Sequence, residues 1–418
     1  MTSPQGLSGG RRAEVVTVYV VGLFQGLSLV AFPAAATILT SKSGYDLSRT
    51  QYGLLFVPQV VMAIAGSLGL PKLARRFPLK LVLLVGLFSD TLAMGLLAGS
   101  VPIKTGAWAY PMLLVATGAL GLGFGLTLGS ISTYAGAFMP DRRDVALTAL
   151  NVLLGLGTAL SPFLISLFTK IGEWWYVPLL AAAGLVALIV AAAAQPMNLP
   201  TSAAAADQAA AAKAERAKIP VFFWVFAMAL VIYGIGETMF GNWGTTLLVD
   251  KGVAATSAQN ALAVFWAAVT LGRLAIAVLS TRVRSTYIYV ALPWAIAVAL
   301  LVAPLAKSAG AGIAVFAFGG LACSGFFPMT IGYGESTFPS IVELAAGWLI
   351  AAYQVGYGLA AFGAGALQRL VSLTAVFRIA AVAVVVMAFL ALAIARQQRP
   401  STATGASPTA TRRPTTAT

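Results

Sequence analysis

Apolar runs long enough to cross a lipid bilayer follow one another along almost the whole chain. They fall at about 14–39, 50–70, 80–99, 110–136, 145–169 and 175–194, then after a break at about 221–248, 257–280, 286–305, 311–336, 342–368 and 374–395. About 20 apolar residues cover a hydrocarbon core of about 30 Å, so each run suffices for one helix. In lipid the backbone must satisfy its own hydrogen bonds, and a helix does this within a single segment. Composition agrees: 59% of the 418 residues are hydrophobic and 9% are charged, whereas a soluble domain carries about 25% charged residues. The expected fold class is an all-α integral membrane protein with twelve transmembrane helices.

The break divides the chain into an N-terminal six-helix half (1–194), an expected cytoplasmic linker (195–220), a C-terminal six-helix half (221–395) and an expected cytoplasmic tail (396–418). The linker is alanine-rich and carries Lys213, Arg216 and Lys218. The tail is rich in Ser, Thr, Pro and Ala, a composition that predicts disorder. Arg11 and Arg12 precede an apolar run too long for a cleaved signal core, so the first helix is expected to remain as an anchor.

The formal net charge is +14. Its placement between apolar runs marks it as a topology determinant, so no nucleic-acid partner is expected. With both termini cytoplasmic, seventeen Lys and Arg fall on the inner side and eight on the outer, with Arg273 inside a helix. This bias predicts a plasma (inner) membrane protein with both termini inside. The single cysteine, Cys323, has no partner for a disulfide. Histidine is absent, so proton coupling must rest on a carboxylate. No P-loop lysine motif and no metal-ligand cluster occurs, so neither an enzyme nor a cofactor is expected.

The halves echo each other. GYDLSRTQYGLLF at 44–56 matches GVAATSAQNALAVF at 252–265 at an offset of 208, pairing Gly44 with Gly252 and Gln51 with Gln259. TYAGAFMP at 133–140 matches GYGESTFP at 332–339 at an offset of 199, pairing Tyr134 with Tyr333 and Pro140 with Pro339, and further on Gly157 with Gly356. Two six-helix repeats about an axis along the membrane normal form a transporter plan with substrate between the halves.

With this layout the chain resembles the major facilitator superfamily over essentially its whole length. The loop GLGLPKLARRFPLK at 67–80 resembles the family's signature loop after the second helix, but neither it nor its counterpart GRLAIAVLSTRVRS at 272–285 holds an acidic residue. The seventh run, YGIGETMFGNWGTTLL at 233–248, is similar to that of sugar permeases of the fucose-permease-like group. The resemblance implies that the first helix of each half lines the central cavity and that the third is peripheral.

Ionisable groups inside a membrane are costly and mark function by default. Glu237, near the middle of the seventh run, is the expected proton-coupling carboxylate, or else a structural acceptor. Asp90 is a second coupling candidate, or else a buried contact to the second helix. Arg273 could meet substrate, although the family often has Gly-Arg here, which favours a structural role. Glu335 is expected at the inner end of the tenth run, where it could pair with Arg282 or Arg284 and close a gate. Amides and rings that could hold a polar solute are Gln25, Tyr134, Asn151, Tyr233, Asn242, Trp243, Tyr333, Tyr353, Gln354 and Tyr357. Gln354 and Tyr357 share a helix face if that run is helical.

The leading expectation is a proton-linked secondary transporter of a small, neutral, sugar-like solute. Protons and membrane lipid are its expected partners, and it is expected to act as a monomer. The competing readings are an efflux permease for drugs or metabolites, and a membrane sensor that keeps the fold without turnover.

Overall fold

A computed structural model describes residues 9–199 and 219–398. Most of the expected linker and tail lies outside these residues. Among the described residues twelve helices are long and apolar enough to span a membrane. They are α1 (Arg11–Leu29), α2 (Arg49–Arg76), α3 (Leu79–Gly99), α4 (Ala109–Phe138), α5 (Val145–Thr169), α6 (Tyr176–Ala194), α7 (Phe223–Asp250), α8 (Ala255–Leu279), α9 (Ser285–Leu305), α10 (Ala309–Thr337), α11 (Gly347–Leu367) and α12 (Leu373–Gln397). Polar caps mark several starts. At α2 the Ser48 hydroxyl accepts the Gln51 N–H, while Gln51 Oε1 accepts the Ser48 N–H. This reciprocal pair satisfies two donors that a helix start leaves free. Ser308 and Ser372 accept the first free donors of α10 and α12 in the same manner.

Within each half the helices pack by the same rule. Gly157 of α5 lies against the Leu23 carbonyl of α1, and Gly356 of α11 lies against the Val231 carbonyl of α7. Gly26 lies on the Leu154 carbonyl, and Gly234 on the Tyr353 carbonyl. Positions on the first helix differ by 208 and those on the fifth by 199, the two offsets read from the sequence. A Cβ at any of these glycines would collide with backbone, so glycine is what lets the helices approach. Pro140 and Pro339 each open a short 3-10 turn ahead of the fifth helix of their half.

The halves meet at the end of the bundle opposite residues 9 and 398. Arg49, at the start of α2, donates to Gln368 at 2.5 Å and to Asp250 at 2.6 Å. Arg369 donates to the Thr50 hydroxyl at 3.0 Å, and Thr50 donates to the Gly365 carbonyl. Deeper, the Tyr52 hydroxyl donates to the Asn242 carbonyl at 3.1 Å, and its ring packs edge-on against Trp243. Ser166 and Gln259 add bonds across the α5–α8 side. The seam is therefore closed at this end.

At the other end, Lys80 of the signature-like loop donates to the carbonyls of Ala193 and Gln195 at 2.7 and 2.6 Å. A cation on the free carbonyls of a helix C-terminus is favourable. The loop that lacks an acidic partner is thus tied to the end of α6 by backbone. The following residues are held as well: the Met197 N–H donates to Glu14, Tyr134 donates to the Met197 carbonyl, and Gln195 donates to Thr17.

Candidate functional site

Glu237 lies in the middle of α7 and is 5% exposed. Its Oε2 accepts the Tyr353 hydroxyl of α11 at 2.6 Å, and its Oε1 lies 2.7 Å from the Tyr233 hydroxyl one turn earlier on α7. The Tyr233 hydroxyl is also 2.7 Å from the Cys323 carbonyl of α10. No cation forms an ion pair with Glu237 among the described residues. Arg273 acts on it through space only, and its Nε donates to the Ser324 carbonyl at 3.3 Å.

Those two carbonyls are free because α10 is broken. Its helical pieces are Ala309–Cys323 and Phe326–Thr337. Pro328 has no N–H to give the Ser324 carbonyl four residues back, and Arg273 supplies the missing donor. Tyr233 is the donor placed at the Cys323 carbonyl.

Aromatic rings surround this group. Tyr233 stacks on Phe326 with centroids 5.6 Å apart, and Phe326 stacks on Tyr289 at 4.8 Å. Phe327 meets Tyr353 edge-on at 5.0 Å. Phe327, Tyr353 and Tyr357 stay partly exposed, so a solute beside Glu237 would find ring faces and hydroxyls. Asn242 donates to the Tyr357 hydroxyl at 3.2 Å, toward the closed end.

The expected residues therefore divide. Glu237, Tyr233 and Tyr353 meet directly, with Arg273, Asn242 and Tyr357 nearby. Tyr353 and Tyr357, four residues apart, form the polar face of α11, whereas Gln354 is buried. Trp243 is fully buried in the closed seam, where its indole N–H donates to the Ala360 carbonyl. Gln25 does not face a cavity. It is fully buried and donates to Asp90 Oδ1 at 3.4 Å. Asp90 is also fully buried, takes a second bond from Thr127 of α4 at 3.2 Å, and lies against Gly123. Its neighbours are α1 and α4 rather than α2. Tyr134 is 1% exposed and bonds the Met197 carbonyl, not a cavity. Asn151 is exposed and donates to the carbonyl of Leu147 on its own helix. Glu335 and Arg282 are both exposed and make no ion pair among the described residues. Tyr333 donates to Ser285 at 3.1 Å.

Sequence reading missed the Arg49–Asp250–Gln368 contact and the break in α10. The break had a signal, Ser324-Gly325 followed by Pro328. The Arg49 contact had none, since its partners lie far along the chain. A crevice of about 480 Å³ between α7, α11 and α12 is lined by apolar residues such as Ile235, Met239 and Leu367, and offers no side-chain hydrogen bond to a polar solute.

No family model and no curated protein matches the sequence. Solved structures match the fold. A mutant of the nucleoside transporter NupG superposes with a TM-score of 0.71 at 15% identity, covering 92% of this chain and 100% of that one. Another structure of NupG gives 0.68 at 15% identity, covering 94% and 100%. The fold is thus the twelve-helix major facilitator fold expected from the sequence.

Proposed function

We propose that the chain is a secondary transporter that couples proton movement to a small neutral solute bearing a sugar ring. The observation that carries this reading is Glu237, a nearly buried carboxyl without a paired cation, held by two tyrosine hydroxyls beside partly exposed rings. An intramembrane carboxyl of this kind is expensive and is a site for a proton by default. The fold shared with a nucleoside transporter supports alternating access. It also makes nucleosides the first solutes to test, since base and sugar rings suit Phe327, Tyr353 and Tyr357. With basic segments inside, the closed Arg49 end is the outer gate. Glu335 and Arg282, both exposed, then stand at the inner end, where an inner gate would form as the halves rock.

The test is uptake into proteoliposomes under an imposed pH gradient, with nucleosides, hexoses and lipophilic cations as separate solutes. Accumulation of a nucleoside or hexose that Glu237→Gln abolishes, with solute exchange retained, is the expected result. Undiminished accumulation by the variant overturns the coupling role. Transport of the lipophilic cations alone moves the protein to the efflux reading.

A further inference from the structure

The Tyr233 hydroxyl has one hydrogen and two oxygen neighbours at 2.7 Å, Glu237 Oε1 and the Cys323 carbonyl. A carbonyl brings no hydrogen. Both contacts are hydrogen bonds together only when Glu237 itself carries a proton, donating from Oε1 to Tyr233 while Tyr233 donates to Cys323. The Tyr353 bond to Oε2 is unaffected, because that oxygen is then the carbonyl of the neutral acid.

We infer that the proton on Glu237 sets how the break in α10 is held: protonated Glu237 leaves Tyr233 free to hold the Cys323 carbonyl, and proton loss withdraws that donor. This rests on the coupling role proposed for Glu237. When the proton leaves, the carboxylate needs the Tyr233 hydrogen for itself, and a bond to a charged acceptor outcompetes one to a neutral carbonyl. The Cys323 carbonyl, in a fully buried residue, then loses its side-chain donor, which is costly. Arg273 works in the same direction. It holds the second free carbonyl, Ser324, and the new negative charge on Glu237 attracts it. Both tethers of the break are thus contested by one carboxyl. The ionisable groups that face Glu237 are Tyr233 on its own helix, Arg273 of α8, Cys323 of α10, and Tyr353 and Tyr357 of α11. Tyr233 and Arg273 are positioning residues here: they convert a protonation into motion of the α10 segment beyond residue 325. That segment carries Phe326 and Phe327, the rings beside the proposed solute position.

The chain supplies its own reporter, because its single cysteine sits at the break and is fully buried. Alkylation of Cys323 by a neutral, membrane-permeant maleimide is measured in wild type and Glu237→Gln at acid and alkaline pH. Glutamine mimics the protonated acid, since its amide donates to Tyr233 permanently. The rate in wild type divided by that in Glu237→Gln removes the titration common to both proteins. Repulsion between the wild-type carboxylate and the thiolate slows wild type, which opposes the expected rise. The ratio is expected near one in acid and to rise about fivefold in alkali, the population shift that one hydrogen bond commands. In a Tyr233→Phe background the ratio does not rise with pH. A flat ratio with Tyr233 present, or an equal rise without it, overturns the inference. If Tyr233→Phe does not fold, Pro328→Ala takes its place. It restores an N–H to the Ser324 carbonyl and is expected to slow alkaline labelling about fivefold; an unchanged rate overturns the inference. Loss of proton-driven uptake is scored separately, so labelling that follows the pattern in a protein whose uptake ignores protons would refute the coupling role and keep the hinge.

Discussion

Two carboxyls lie deep in the membrane, and their surroundings assign them different work. Glu237 touches two hydroxyls, one of them partly exposed, beside rings that a solute could reach. Asp90 touches Gln25 and Thr127 and nothing open, so it ties α3 to α1 and α4. Hydrogen bonds between membrane helices contribute about 1 kcal/mol each. Asp90→Leu is therefore expected to lower stability by about 1–2 kcal/mol, while Asp90→Asn, which keeps both partners, is expected to leave both melting temperature and proton-driven uptake near wild type. Thermal unfolding of the purified protein and proteoliposome uptake read the two effects. Loss of uptake in a stable Asp90→Asn protein would return Asp90 to the proton path. The sequence made both residues visible, because a carboxyl in an apolar run stands out. It did not show their partners. Which face of a helix Gln25 or Tyr134 presents depends on the rotation of that helix against its neighbours, and an apolar run carries little periodic signal to set that rotation.

At the scale of the helix the sequence was far more legible. Span length follows from bilayer thickness, so the apolar runs and the helices agree to within a few residues at most ends. The internal echo also had structural content, because Gly157 and Gly356 do the same job in the two halves. Equivalent contacts predict equivalent costs. Gly157→Ala and Gly356→Ala each force a methyl group into a backbone carbonyl, and overpacking of this kind costs about 1–3 kcal/mol. Gly95→Ala, on a glycine with open space around it, is expected to be neutral or slightly stabilising, since alanine is the better helix former. Melting temperatures of the three variants decide whether the two glycines are structural equivalents; a neutral Gly356→Ala would break the repeat argument at the contact that best supports it. The break in α10 is where the repeat fails usefully, for no helix of the N-terminal half shows a matching interruption next to a carboxyl.

The whole molecule rests on a comparison between its two ends. One end is closed by bonds that join residues about 200 to 320 positions apart, such as Arg49 to Asp250 and Arg49 to Gln368. Contacts of that separation leave no local pattern, which is why Arg49 reads in the sequence only as one loop charge among others. The Arg49 and Asp250 side chains are 39% and 33% exposed. A partly solvated ion pair contributes about 0–1 kcal/mol, and salt weakens it further. Under the proposed transport function a weak lock is what rocking would need, since a strong one would trap the closed end. Arg49→Ala removes the ion pair and the bond to Gln368 together, and is expected to shift the closed and open populations by about three- to fivefold, equivalent to about 0.7–1 kcal/mol. Spin labels on Lys42 and Lys307, in loops of opposite halves at this end, would show the shift as a larger fraction of long distances. Raising salt should move wild type in the same direction and the variant hardly at all. Solute exchange should persist in the variant, because the site around Glu237 is untouched. A distance distribution that ignores both the mutation and salt would mean that Tyr52, Asn242 and Trp243, packed deeper in the seam, hold the end shut without Arg49.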